Sequence, residues 1–117
     1  MQFEITNRPP MMPVDPAMIA KQPTMSKALA LCQTMSGKDD AQFYGETGIV
    51  KSQASWSRVM GNTDHNFPQD KLNLFMDIAG NEVPALWLMH SRGYDITTMR
   101  KLETETEREL RLAREEI

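Results

Sequence analysis

"TGIVKSQASWSRVMGN", residues 47–62, decides how the chain is read. A glycine followed by aliphatic residues opens it and Gly61-Asn62 closes it. Between them Trp56 stands among serines, a lysine and an arginine, and no acid occurs from Gly48 to Thr63. With Ser52 as N-cap and Gly61 as terminator, "SQASWSRVM" predicts a short helix. Its inward side carries Trp56, Val59 and either Ala54 or Ser55. Lys51, Ser52, Gln53, Ser55, Ser57 and Arg58 are then available to face outward.

The same punctuation recurs on both sides. "MSKALALCQTMSG" (25–37) sets Met25, Ala28, Leu29, Cys32 and Met35 at helical spacing, capped by Thr24 or Ser26 and ended by Gly37. "DDAQFYGETG" (39–48) predicts a second short helix, capped by Asp39 or Asp40, with Ala41, Phe43 and Tyr44 as its apolar face and Gly48 supplying positive φ at the turn. "PQDKLNLFMDIAG" (68–80) turns Leu72, Phe75, Met76 and Ala79 to one side. "EVPALWLMHSRG" (82–93) carries Pro84 in its first turn and sends Val83, Leu86, Trp87 and Met89 or His90 inward. Proline at the start and glycine past the end fit the polarity of helix termini.

Residues 1–23 hold five of the seven prolines, which predicts an irregular arm packed by Met11, Met12 and Met18. A short turn over 14–20 and a strand over 2–6 are compatible with its pattern. At the other end Met99, Leu102, Thr106, Leu110, Ala113 and Ile117 step by 3, 4, 4, 3 and 4, so a long helix is expected from Asp95 or Thr97. The expected fold class is all-α, with an arm at 1–23, a five-helix domain at 24–93, and a C-terminal helix at 94–117 as a candidate dimerisation element.

A length of 117 residues suits one domain, and 40% hydrophobic with 25% charged residues is ordinary for a globular protein. One cysteine excludes an internal disulfide and any multi-cysteine zinc site, and Cys32 reads as a buried thiol. The chain has no stretch of about 18 apolar residues and no signal-peptide core at its start, so a cytoplasmic location is expected. A net charge of −3 argues against a nucleic-acid partner at first sight. The deficit, however, lies after residue 75; residues 24–75 carry five basic and five acidic side chains. Asp64, His65 and His90 read as ordinary loop and helix residues. With no Ser-His-Asp set, HExxH or phosphate-binding glycine loop, neither an enzyme nor a cofactor or metal is expected.

Two short helices joined at a glycine, with one helix before and two after, have the layout of a helix-turn-helix domain. Here the chain resembles the phage lambda-repressor-like (Cro/repressor type) helix-turn-helix regulators of phages and prophages. The resemblance rests on Gly48-Ile49 at the turn, Ser52-Gln53 at the recognition-helix start, Trp56-Ser57-Arg58-Val59 at its inward end, the Gly61-Asn62 exit, and Leu74 to Ala79. It spans roughly residues 24 to 92. The turn is about two residues longer than the family's, and Tyr44-Gly45 stands where the family often has alanine. The resemblance implies a double-stranded DNA partner, a homodimer, and Lys51, Ser52, Gln53, Ser55, Arg58 and Asn62 in or beside the groove. An antitoxin or a small DNA-packaging subunit would share the architecture.

Overall fold

A computed structural model describes residues 11–61, 66–99, 101 and 105–115. In it the chain forms α1 (Pro16–Ala20), α2 (Met25–Ser36), α3 (Gln53–Met60), α4 (Leu72–Ala79), α5 (Val83–Ser91) and α6 (Glu105–Glu115). Single 3-10 turns at Asp40–Gln42 and Gln69–Lys71 precede α3 and α4. The described residues contain no β-strand, only an isolated bridge between Tyr44 and Val50, so the fold they form is all-α.

α2 is the central element, packed against α5, α4 and α3, while α1 lies on α5. Its start is set by Thr24, whose hydroxyl accepts the Lys27 N–H (3.2 Å), and its stripe buries Ala28, Leu29 and Cys32. These meet Trp56 of α3, Phe75 and Ala79 of α4, and Val83 of α5 in one core. On α5 the open choice falls to Met89, which is half-buried, while His90 is exposed.

The α4–α5 corner depends on Asn81, the one fully buried polar side chain among the described residues. Its amide donates to the Cys32 carbonyl of α2 (2.9 Å) and its Oδ1 accepts the Val83 N–H (3.3 Å), so the same side chain satisfies the first N–H of α5 and ties that helix to α2. A second tie is the Trp87 indole, which donates to the Gln22 carbonyl ahead of α2 (2.7 Å).

Three expectations are corrected. Residues 1–23 are not irregular throughout: Asp15 accepts the Ala17 N–H (2.9 Å) and Pro16 opens α1, because a proline in the first turn loses no hydrogen bond. The packing there comes from Ile19 and Val14, whereas Met12 and Met18 are exposed. The strand considered for 2–6 lies outside the described residues.

The helix expected over 39–48 is a single 3-10 turn, so the pair of short helices is not formed as anticipated. The cause is local. Phe43 is drawn fully into the core, and Gly45 reverses the chain at φ 119°, a value no helix accommodates.

Finally, the C-terminal helix starts at Glu105, not near Asp95. Asp95 Oδ1 accepts both the N–H (2.9 Å) and the hydroxyl (2.5 Å) of Thr97, closing a local turn, while Ile96 packs on the core. The chain then passes the start of α5, where Lys101 pairs with Glu82 (2.9 Å). No helix among the described residues is long and apolar enough to cross a membrane.

Candidate nucleic-acid interface

The candidate interface lies on α3, and the start of that helix is defined by its cap. The Ser52 hydroxyl accepts the Ser55 N–H (3.1 Å) and donates to the Ser55 Oγ (3.0 Å). An N-cap of this kind contributes about 1 kcal/mol. No acid occupies the first turn, which leaves the positive end of the helix dipole uncompensated there.

Helical geometry divides the eight residues. At about 100° per residue, Gln53, Ser57, Ala54 and Arg58 fall on one arc of about 140°. All four are exposed, as is Lys51 just ahead of the cap. Trp56 and Val59 occupy the opposite side and are buried, and Ser55 lies half-buried at its edge. The choice left open between Ala54 and Ser55 therefore falls to Ser55 as the inward residue. The outward Ala54 escaped the sequence reading, although its 160° separation from Trp56 (two residues back, about −200°) is implicit in the helical period.

The candidate contacts thus separate. Lys51, Gln53 and Arg58 are exposed on or beside the outward arc, together with Ser57. Ser52 and Ser55 spend their hydroxyls on capping and on each other. Asn62 lies outside the described residues, as do Asp64 and His65. Arg58 sits in the last turn, where a cation also favours the helix dipole. Among the described residues, no group of three His, Cys, Asp or Glu side chains could hold a metal ion.

What holds α3 in place is an aromatic cluster. The Trp56 ring stacks parallel and offset on Phe43 (centroids 5.2 Å apart, planes at 2°), and Phe75 and Phe67 meet it at 5.9 Å and 6.4 Å. Its indole N–H donates to the Asp40 carboxylate (3.2 Å), and the same Oδ1 accepts the Gln33 amide of α2 (2.5 Å). Asp40 is therefore a junction between α2, the 3-10 turn and α3.

The lead-in to α3 is a closed loop. The Ile49 N–H donates to the Phe43 carbonyl (2.8 Å) and the Gly45 N–H to the Val50 carbonyl (2.8 Å). Positive φ is found at Gly45 and not at Gly48, contrary to expectation. Gly48 is required for a different reason: a Cβ there would lie 2.6 Å from the Phe43 carbonyl oxygen and 2.7 Å from Tyr44 backbone carbons. Comparison with protein-family models, curated proteins and solved structures returns no match, so the functional reading rests on α3 and its supports.

Proposed function

We propose that the protein is a sequence-specific, double-stranded-DNA-binding transcriptional regulator, a repressor or autoregulator of phage or mobile-element type, acting in the cytoplasm with no catalytic role. The observation that carries this reading is the division of α3: an exposed arc of Gln53, Ala54, Ser57 and Arg58, with Lys51 ahead of it, opposite a buried Trp56. These side-chain types match what the major groove offers. Arginine or lysine can bond guanine or a phosphate, glutamine suits adenine, and an alanine methyl suits the thymine methyl. The lambda-repressor-like resemblance supplies the helix-turn-helix docking mode. On this reading the 3-10 turn stands where the motif has the first helix of its pair.

Binding as a two-fold dimer would set two copies of α3 into half-sites about 34 Å apart. The element proposed for dimerisation is α6, which carries Leu110 at 55% exposed and Ala113 on the same side. An exposed apolar stripe of this kind also suits an assembly role, as in an antitoxin or a small DNA-packaging subunit. Light scattering separates the two: a dimer fits the regulator and a many-membered ring fits packaging.

Site selection from a random duplex pool, followed by electrophoretic shift, tests the proposal. The wild type should select a common site. Lys51→Ala combined with Arg58→Ala should weaken binding at least tenfold with helicity unchanged, as expected in order of magnitude for two lost charge contacts. If both residues meet phosphate, the slope of log K against log salt should fall by about 2. A folded wild type that selects no site would overturn the proposal.

A further inference from the structure

α3 presents its outward arc at one rotational setting, and the structure shows what determines that setting. Stacking of Trp56 on Phe43, with the two planes 2° apart, fixes the plane of the indole. Parallel-offset stacking sets the plane of the ring more firmly than its rotation within that plane. Phe75 and Phe67 bound the ring at tilted angles without supplying a hydrogen-bond partner. The directional contact on the ring is its N–H bond to Asp40 Oδ1 (3.2 Å).

Asp40 is itself held. It begins the 3-10 turn, and the Gln33 amide of α2 donates to the same oxygen (2.5 Å). That turn is closed by the Asp39 N–H on Gln42 Oε1 (3.2 Å). Direct packing of α3 on α2 and the burial of Trp56 and Val59 hold the helix, and the shared carboxylate oxygen adds a polar tie that refers the azimuth of Trp56 to α2. A rotation of about 10° carries a side chain about 6 Å from the helix axis through about 1 Å. A shift of that size exceeds the roughly 0.5 Å spread of good N–H···O distances.

We infer that Asp40 is a positioning residue for recognition: its Oδ1, shared between Gln33 and Trp56, sets the angle at which α3 presents Gln53, Ala54, Ser57 and Arg58 to a nucleic-acid duplex. The inference rests on the DNA-binding reading and deepens it. It also assigns a role to an acid beside a surface that would meet a polyanion, where charge alone would be unfavourable.

Two substitutions separate geometry from charge. Asp40→Asn keeps the Oδ1 acceptor and removes the charge, whereas Asp40→Glu keeps the charge and moves the acceptor by about one C–C bond length. Both are mild at an exposed position, so both variants are expected to fold, with circular dichroism as the check. Affinity is measured for the duplex that the wild type selects and for a random-sequence duplex of equal length. Asp40→Glu should lower the selected-to-random affinity ratio about tenfold or more, a loss on the scale of one mismatched base pair, with random-duplex affinity unchanged. Asp40→Asn should raise random-duplex affinity through its lost charge and keep the ratio within about threefold of wild type.

A merely structural role would lower the melting temperature and weaken both duplexes together, leaving the ratio intact. A wild-type ratio in Asp40→Glu, or equal losses of ratio in the two variants, would overturn the inference alone. A wild type that selects no duplex would overturn the DNA-binding reading, and the inference with it.

Discussion

Gly48→Ala is the sharpest test of how α3 is held, because two opposing effects predict opposite signs. Where alanine fits the native backbone, replacing glycine stabilises a protein by about 0.4–1 kcal/mol through the unfolded chain. At Gly48 the added Cβ would sit 2.6 Å from the Phe43 carbonyl oxygen and 2.7 Å from the Tyr44 carbonyl carbon and Cα. Comfortable non-bonded separations are about 3.5 Å or more, so backbone must retreat by about 0.8 Å. None of the three atoms is the flexible end of a side chain.

The obstructing oxygen is also the acceptor of the Ile49 N–H at 2.8 Å, so the retreat that relieves the clash stretches that bond beyond useful range. Overpacking costs about 1–3 kcal/mol and the lost hydrogen bond about 1 kcal/mol, against the smaller entropic gain. The net expectation is a destabilisation of about 1–3.5 kcal/mol, a large share of a total that is typically about 5–15 kcal/mol. Urea unfolding followed by helical circular dichroism and by tryptophan fluorescence reads it directly. With a slope of about 1–3 kcal/mol per molar, the midpoint should fall by about 0.3–3.5 M. A Gly48→Ala midpoint at or above that of the wild type would refute the close-approach argument.

Asn81→Ala leaves the Val83 N–H of α5 and the Cys32 carbonyl of α2 without their partner in a buried site, so it should cost about 2–3 kcal/mol. In a thermal melt of a domain this size that is a fall on the order of 10 °C, and a change under about 3 °C would count against the corner's importance. Burial pushes the Cys32 thiol up from 9.0 to about 12, the Val83 backbone contact offsetting a little of the effect. Native protein at pH 8 should therefore resist a disulfide reagent that labels the urea-unfolded chain at once. The raised value also sets a sign: the unfolded thiol ionises first, so this group's contribution to stability is intact below about pH 9 and is lost as pH rises towards about 12. Cys32→Ala should flatten that part of the pH profile. Leu110→Lys should convert a dimer to a monomer in light scattering, with the melting of the domain little changed.

Much of the fold was legible one element at a time. The caps at Thr24 and Ser52, the terminators Gly37 and Gly61, and the buried stripes of α2 and α4 all follow from local hydrogen bonding and the 3.6-residue period. So does the inward face of α3, since Trp56 and Val59 are three residues apart. The candidate site was legible to the same extent, as exposure of Lys51, Gln53 and Arg58 follows from burying Trp56.

Tertiary contacts decided the rest. Asp39, Asp40, Ala41 and Gln42 promise a helix locally, but one turn forms because Phe43 is worth more in the core than on a helix flank. Asp95 and the stripe from Met99 promise a long helix, but Ile96 is held by the core and Lys101 by Glu82. The role of Asp40 had no local signal: its oxygen joins Gln33, seven residues before it, to Trp56, sixteen residues after it. Gly48 was identified as necessary for the wrong reason, since φ preference is a property of one residue whereas a 2.6 Å approach belongs to two backbones that meet only after folding. Local chemistry chose the helices and their buried faces; the packing of aromatic rings and backbone chose where those helices stop and how α3 is aimed.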